Sequence, residues 1–307
     1  MSGRPTTPRA REQEMDTEQQ QSIAVIGVGT MGRGIARAFA SAGFHTRVCD
    51  RDADALSTGM ARLDADLERS EARGRLTTED RQAVMDRLST STSLAATVAG
   101  VELVVEAVPE DLDLKRRVFT DLEHHAPASA ILATNTSALS IASIASAIET
   151  PGRVVGLHFF NPVHRMELVE VVVALDTDPA VTRRAVGLCE AIGKTTIEVV
   201  DRAGFATSRI NAMIGNEAFQ MLMEGVATAE DIDTAMRLAL HHPMGPFELV
   251  DLVGLDVRLA VLRRLHDSLG ERFRPSPLLV ELVEAGRLGR KTGHGVFRYG
   301  DDGTRIG

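Results

Sequence analysis

A glycine-rich turn near the start of the chain constrains the fold more than any other sequence feature. Residues 22–26 form a short run rich in β-branched residues, as a strand does, and residues 31–42 have apolar side chains at helical spacing. The segment that joins them has the sequence Gly27-Val28-Gly29-Thr30-Met31-Gly32. A GxGxxG motif between a strand and a helix predicts an α/β domain that binds a dinucleotide.

Each part of this motif has a physical reason. Gly27 permits a tight turn, Gly29 lets the backbone approach a pyrophosphate, and Gly32 lets the helix pack closely on the strand. Thr30 precedes the helix and Met31 begins it, and the unpaired N–H groups and positive dipole end of this helix favour phosphate. A glycine-rich turn without a ligand is the alternative interpretation of the motif alone.

The end of the second predicted strand, residues 45–49, indicates which dinucleotide is bound. Asp50 follows this strand, where a carboxylate can accept hydrogen bonds from the adenine ribose hydroxyls and would repel a 2′-phosphate. We therefore predict NAD as the cofactor. Arg51 follows directly and keeps NADP open, because an arginine can accommodate the 2′-phosphate.

The chain of 307 residues is long enough for about two domains. Further strand-like runs, separated by helical stretches, occupy residues 101–108, 130–134, 154–160, 167–173 and 195–200. That alternation predicts a parallel sheet with crossover helices. Only helical spacing follows, at residues 210–222, 229–240, 252–269 and 277–284. We predict a disordered leader over 1–21, an α/β domain over 22–200 and a helical domain over 201–307.

Composition excludes several classes of function. The net charge of −9 argues against nucleic acid as the main partner, and the longest weakly charged stretch is interrupted by proline and polar residues, so no membrane span is expected. Two cysteines are too few for a disulfide framework, and no secretory signal is visible, so we expect a cytoplasmic setting. The His124-His125 and His241-His242 pairs lack matching cysteine or acidic ligands, so no metal is predicted.

Residues 52–89 are too many for one crossover helix and predict two helices around Arg73-Gly74-Arg75. One interpretation is a simple elaboration of the crossover. The other is a clamp over a long ligand, whose phosphates would suit Arg62, Arg69, Arg73 and Arg75.

A histidine and a glutamate in two apolar runs form the strongest catalytic candidate. His158 and Glu170 are equally distant from residue 164, and Pro162 marks a turn between the runs. An antiparallel hairpin about that centre would place the two side chains opposite each other, with Cβ atoms about 4.5–5.5 Å apart. A carboxylate beside a histidine fixes its tautomer and stabilises the imidazolium, as an acid/base catalyst requires. A satisfied buried polar pair is the alternative, and His164 in the turn is expected to be solvated.

Asn135, Thr136 and Ser137 follow the predicted strand 130–134. Ligands bind at the carboxyl ends of strands in open α/β sheets, so these side chains are candidates for the site. Ser137 is also a candidate cap of a helix that begins near Leu139.

Over residues 22–300 the chain resembles the 3-hydroxyacyl-CoA dehydrogenase family, including bacterial 3-hydroxybutyryl-CoA dehydrogenases. The motifs that carry the resemblance are GVGTMGRGIA, EAVPEDLDLK, TNTSALSI, GLHFFNPVHRMELVEVV, DTAMRLALHHPMGPFELVDLVGLD and GRKTGHGVF. The resemblance implies a Rossmann-type NAD domain followed by an all-α C-terminal domain that forms a homodimer. It also implies reversible, NAD-dependent oxidation of an L-3-hydroxyacyl-CoA to the 3-ketoacyl-CoA.

The resemblance also implies roles for single residues. His158 is the acid/base and Glu170 its orienting partner, while Ser137 and Asn161 donate hydrogen bonds near the substrate and the nicotinamide. The remaining positions implied to lie near the cofactor are Glu110, Lys115, Asn135 and Lys291, and Arg73 is implied to contact coenzyme A.

One position departs from the family pattern. Ser208 stands in GFATSRIN where many members have a catalytic-site asparagine, and it could act through a water or be supplemented by Asn211. Two other functions stay open: oxidation of a hydroxy acid without CoA, as in the similar gulonate 3-dehydrogenases, and a non-catalytic NAD-binding structural role, as in the similar lambda-crystallins. The basic residues of the helical pair favour CoA, and the His–Glu pair favours catalysis.

Overall fold

The computed structural model describes residues 21–306, so the predicted leader 1–21 lies, except for Gln21, outside the described residues. Contacts divide the chain into two compact units. The first comprises the chain up to Thr136 together with Ile141–Asp201, and the second comprises Ser137–Ser140 together with the chain from Arg202 onward. Within residues 21–306, no helix is both long and apolar enough to span a membrane.

The first unit is built on an eight-stranded sheet of order β3-β2-β1-β4-β5-β6-β7-β8. The strands are β1 (Ser22–Ile26), β2 (His45–Cys49), β3 (Leu88–Ser91), β4 (Leu103–Glu106), β5 (Ile131–Thr134), β6 (Val154–Phe159), β7 (Leu168–Val173) and β8 (Thr195–Val200). All neighbouring strands are parallel except β6 and β7, which are antiparallel. The mostly parallel sheet of a Rossmann-type fold is thus confirmed, with two strands, β7 and β8, reversed relative to the other six.

Helices connect the strands. They are α1 (Thr30–Ser41), α2 (Ala53–Ala72), α3 (Thr78–Asp86), α4 (Leu94–Val98), α5 (Leu112–His125), α6 (Ile141–Ala145) and α7 (Pro179–Ala191). Fully buried apolar residues of the strands and of α1, such as Ile23, Val105 and Phe39, belong to one core cluster. Since burial of each such side chain contributes about 1.5–3 kcal/mol, this cluster holds the strand ends in place.

Two sequence-based expectations in this unit are wrong. The segment after α3 forms the edge strand β3, which pairs with β2 and was expected to belong to the helical insertion. The helix after β5 begins at Ile141, not near Leu139, and the Ala142 N–H donates to the Asp201 carboxylate (2.9 Å). The predicted pair of helices is confirmed: α2 ends at Ala72, Gly74 turns the chain with φ 66°, and α3 follows.

The second unit is helical, as expected. Its helices are α8 (Thr207–Met223), α9 (Ala229–Ala239), α10 (Pro246–Val253), α11 (Leu255–Leu269) and α12 (Pro277–Glu284). Their core contains Phe219, Phe247 and Leu262. The single helix expected over 252–269 is wrong, because Gly254 adopts φ 111° and separates α10 from α11.

Candidate active site

A cleft of about 1080 Å³ lies at the carboxyl ends of β1, β2 and β4 in the first unit. Its volume is that of a site for a ligand of cofactor size. The predicted residues that line it are Gly27, Gly29, Thr30, Met31 and Asp50. The remainder of the wall includes the β4–α5 segment Ala107, Val108 and Pro109, and four arginines, Arg33, Arg51, Arg62 and Arg117.

The three glycines of the motif have different surroundings. A Cβ on Gly32 would lie 1.8 Å from the Gly27 carbonyl oxygen, so the helix could not pack against the turn. Gly27 has φ 100°, and a Cβ there would lie 2.8 Å from the Ala107 carbonyl oxygen. A Cβ on Gly29 would meet nothing within 4 Å, because this glycine faces the open cleft. The turn is therefore closed on the protein side and open where a pyrophosphate would lie.

Asp50 lies directly after β2, beside this turn. The Val28 N–H donates to Oδ2 of Asp50 (3.1 Å), which orients the carboxylate at the mouth of the cleft. An oriented acceptor at the end of the second strand suits the ribose hydroxyls of NAD. Arg51 next to it is exposed and also lines the cleft.

His158 and Glu170 form a buried pair on β6 and β7. The strands pair in antiparallel register with His158 directly opposite Glu170, as the equal spacing from residue 164 predicts. Nδ1 of His158 lies 2.6 Å from Oε2 of Glu170, a short charge-assisted distance. Glu170 is fully buried, whereas the His158 side chain keeps 9% of its surface exposed. The pair can therefore fix one imidazole tautomer and still present the ring to a ligand.

The carboxyl ends of β5 and β6 are joined by an asparagine. Oδ1 of Asn135 accepts a hydrogen bond from the Phe159 N–H (2.9 Å), next to His158. Asn161 is exposed at the start of the turn between β6 and β7, and His164 in that turn is exposed as expected. The structure thus brings Asn135 to the neighbourhood of the histidine.

A buried acidic residue that sequence reasoning missed lies at the end of β4. Glu106 accepts hydrogen bonds from the Val108 N–H (2.6 Å), from Nζ of Lys115 (2.7 Å) and from Oγ1 of Thr134 (2.6 Å). Both Glu106 and Lys115 have fully buried side chains. The carboxylate therefore ties together the β4–α5 segment of the cleft, helix α5 and the end of β5. Its position at the end of an apolar strand was the available signal.

Two predicted cofactor residues belong to the same network. Nζ of Lys115 also donates to the Val108 carbonyl (3.2 Å) and lies 3.7 Å from Oε2 of Glu110. Oε1 of Glu110 accepts from Oγ1 of Thr136 (2.5 Å). Lys115 is thus enclosed by protein, whereas Glu110 is exposed at the chain surface.

The remaining predicted residues belong to other segments of the chain. Ser137 and Ser208 belong to the second unit, Ser208 as the second residue of α8. Lys291 is also in the second unit and pairs with Asp256 (2.5 Å). Arg73 is exposed at the end of α2. Among residues 21–306, no group of three or more His, Cys, Asp or Glu side chains could hold a metal ion.

Comparisons with known proteins agree with these features. Residues 22–202 match the family described as 3-hydroxyacyl-CoA dehydrogenase, NAD binding domain, and residues 204–299 match its C-terminal domain. A Bacillus subtilis protein named "Probable 3-hydroxybutyryl-CoA dehydrogenase" is 41% identical over 280 residues, which cover 91% of this chain and 97% of that protein. The 3-hydroxybutyryl-CoA dehydrogenase of Bradyrhizobium diazoefficiens is 40% identical, covering 91% and 95%.

A solved structure is similar over the same length. The (S)-3-hydroxybutyryl-CoA dehydrogenase PaaH1 from Ralstonia eutropha has a TM-score of 0.88 and 37% sequence identity. The match covers 92% of this chain and all of that one. Both units described above therefore have counterparts in one known fold.

Proposed function

This chain belongs to the 3-hydroxyacyl-CoA dehydrogenase family, and from that premise we propose that His158 and Glu170 carry the NAD-dependent oxidation of (S)-3-hydroxybutyryl-CoA to the 3-ketoacyl-CoA. The observation that carries the proposal is the 2.6 Å contact between Nδ1 of His158 and the buried carboxylate of Glu170. A pair of this kind, on strands of the same sheet that carries the dinucleotide turn, supplies the base that the oxidation of an alcohol needs.

The mechanism assigns one task to each partner. Nε2 of His158 removes the proton of the 3-hydroxyl group, and the hydrogen on C3 leaves with its electron pair as hydride. Bound NAD supplies the hydride acceptor. Glu170 stabilises the imidazolium that His158 becomes, and the backbone of β7 holds that carboxylate opposite the ring. The reverse reaction returns the proton to the oxygen and is favoured at lower pH, because it consumes a proton.

Three further residues are proposed to bind the reacting oxygen and its surroundings. Ser137, Asn161 and Ser208 carry hydrogen-bonding side chains at positions that match the family motifs. Donors aimed at a developing negative charge on oxygen lower the barrier of such reactions. Ser208 is shorter than the asparagine of many relatives, so it would reach the substrate through a water.

The cofactor is proposed to lie along the GxGxxG turn with its adenine ribose at Asp50. The open side of Gly29, the free N-terminus of α1 and the oriented Asp50 carboxylate fit this group. Glu110, Asn135 and Asn161 are proposed to contact its nicotinamide half. Lys115 would act through the backbone of the β4–α5 segment, whose Val108 carbonyl it binds. Lys291 and Arg73 are proposed for the cofactor and coenzyme A respectively, on the resemblance alone.

We also propose a homodimer formed by the helical unit in a cytoplasmic setting. Large apolar side chains stand exposed on its helices, among them Ile210 and Met213 of α8 and Val257 of α11. Large apolar side chains exposed on a protein surface are typical of an interface. Both cysteines are free and buried, which fits a reducing compartment. Light scattering that gave the mass of one protomer would contradict the dimer.

The function is tested by following NADH consumption with acetoacetyl-CoA, beside acetoacetate with NADH and acetoacetyl-CoA with NADPH. We expect fast turnover only where the CoA thioester and NADH are both present. Turnover of free acetoacetate alone would indicate a hydroxy-acid dehydrogenase. NADH binding without turnover of any substrate would indicate a structural protein.

A further inference from the structure

Three arginines from different helices line the cleft, namely Arg33 on α1, Arg62 on α2 and Arg117 on α5. Of these, Arg33 and Arg62 interact electrostatically with each other. Nη1 of Arg33 donates to the Val28 carbonyl (3.0 Å), which holds its guanidinium against the glycine-rich turn. The guanidinium of Arg33 is thereby held beside the glycine-rich turn. Arg62 lines the same cleft from α2.

The cleft contains charges of both signs, because the carboxylates of Asp50, Asp52, Asp54 and Asp121 also line it. Burial, and next the positive charge of Arg62, lower the pKa of Arg33, whereas Asp66 acts in the opposite direction. Asp66 itself forms an ion pair with Arg69. Within residues 21–306, neither Arg33 nor Arg62 forms an ion pair with a carboxylate, and Nε of Arg33 is buried without a hydrogen-bond partner. A buried N–H without an acceptor is unfavourable, so the arrangement favours an incoming anion.

The carboxylates nearest the turn are engaged in other contacts. Asp50 accepts from the Val28 N–H, and Asp52 caps α2 by accepting from the N–H groups of Asp54 and Ala55. Asp54 lines the cleft but is exposed. The two guanidiniums are therefore available to a ligand, and guanidinium groups bind phosphate oxygens with fork-like geometry.

We propose that Arg33 and Arg62 form a phosphate subsite that clamps the pyrophosphate of a nucleotide in this cleft. The inference rests on the proposed function, because it takes the cleft to bind nucleotides. Two ligands of that reaction contain a pyrophosphate group: the dinucleotide cofactor and the CoA thioester. Arg62 differs from Arg69 and Arg73 of the helical pair because it lines the cleft. Arg69 forms an ion pair with Asp66, and Arg73 is exposed at the end of α2.

The test uses the full chain and measures binding alone, so it stays readable if no substrate is turned over. Arg33→Met and Arg62→Met are compared with Arg69→Met, which removes the same charge from α2 outside the cleft. Arg33→Lys tests whether a point charge suffices. NADH is titrated by its fluorescence, and coenzyme A and pantetheine, which lacks phosphate, are titrated by calorimetry.

A lost hydrogen bond to a charged group weakens binding by about tenfold or more. If the cofactor is the ligand, the Kd of NADH rises by about that factor in both cleft variants. If the thioester is the ligand, the Kd of coenzyme A rises and that of pantetheine does not. In either case the Arg33→Met/Arg62→Met double variant loses less than the product of the single effects, because both cations serve one group.

The proposed subsite would be overturned if the Kd values of Arg33→Met and Arg62→Met for NADH and coenzyme A stayed within about twofold of those of Arg69→Met. Arg62 is exposed, so its variant is expected to fold even where Arg33→Met does not. The wild-type Kd supplies a further readout, since it must rise with salt if phosphate meets two guanidiniums. Failure of the proposed function is seen separately, as absence of turnover in a protein that binds these nucleotides.

Discussion

Two buried pairs, each of a basic and an acidic side chain, have their acidic residue on the same sheet and differ in what they can do. His158 and Glu170 are 2.6 Å apart on β6 and β7, and Lys115 and Glu106 are 2.7 Å apart at the end of β4. Both acids are fully buried. Lys115 is also fully buried, whereas the imidazole of His158 keeps some exposure. Burial and distance alone therefore do not distinguish a catalytic pair from a structural one.

The two pairs differ in their basic residue, which is Lys115 in one and His158 in the other. Lysine is a cation at neutral pH, and here it donates to Glu106 and to the Val108 carbonyl, so the pair ties segments together. Histidine changes charge near neutral pH and has a second ring nitrogen for a substrate. We infer that the Lys115–Glu106 pair holds the wall of the cleft, and that the His158–Glu170 pair moves a proton.

The largest effect is expected on stability, at the structural pair. Glu106→Ala leaves the Lys115 ammonium buried without its carboxylate, which should cost about 3–5 kcal/mol of unfolding free energy. Urea denaturation of the purified variant measures this loss. The Glu106→Gln/Lys115→Met double variant, which buries no charge, should recover a large part of it. If Glu106→Ala lost less than about 1 kcal/mol of unfolding free energy and the folded protein were inactive, the assignment of catalysis to His158 and Glu170 would be contradicted.

The next effect is expected on turnover, at the catalytic pair. Glu170→Gln keeps a hydrogen-bonding side chain of the same size but removes the charge that stabilises the imidazolium. We expect kcat for acetoacetyl-CoA reduction to fall about a hundredfold or more, with little change in the Kd of NADH. Steady-state kinetics and an NADH titration check the two values. Unchanged kcat would show that Glu170 is only a satisfied buried acid.

A smaller effect sharpens the comparison within the structural network. Thr134→Val removes the hydroxyl that donates to Oε2 of Glu106 (2.6 Å) and preserves the shape of the side chain. A hydrogen bond to a charged group contributes about 1.5–3 kcal/mol, so unfolding free energy should fall by that amount. Since Thr134 precedes Asn135, the KM for NADH should rise more than kcat falls. A change confined to kcat would place Thr134 in the chemistry.

Features formed by residues that are close together in the sequence could be predicted from it. Alternation along two strands about a proline turn predicted that His158 faces Glu170, because a strand has a period of two residues and a hairpin has one centre. The GxGxxG turn was predictable for a similar reason, since its strand, turn and helix are consecutive. Helical spacing predicted α8, α9, α11 and α12 of the second unit, but it predicted neither α10 nor the break at Gly254, where φ is positive.

Features that depend on distant partners were not predictable. Glu106 binds Thr134, and nothing in either segment identifies the other. The strand β3 is short and polar, so it shows no apolar alternation, and it forms because β2 offers an open edge. Arg33 resembles any helical surface arginine in the sequence. Only the fold brings it to the cleft that Arg62 also lines.

The most direct test of the central claim is the rate of His158→Gln with NADH and acetoacetyl-CoA at saturating concentrations. The account predicts that kcat falls about 10²–10⁴-fold while NADH still binds with its wild-type Kd and the protein unfolds at its usual temperature. Turnover near the wild-type rate in that folded, NADH-binding protein would contradict it.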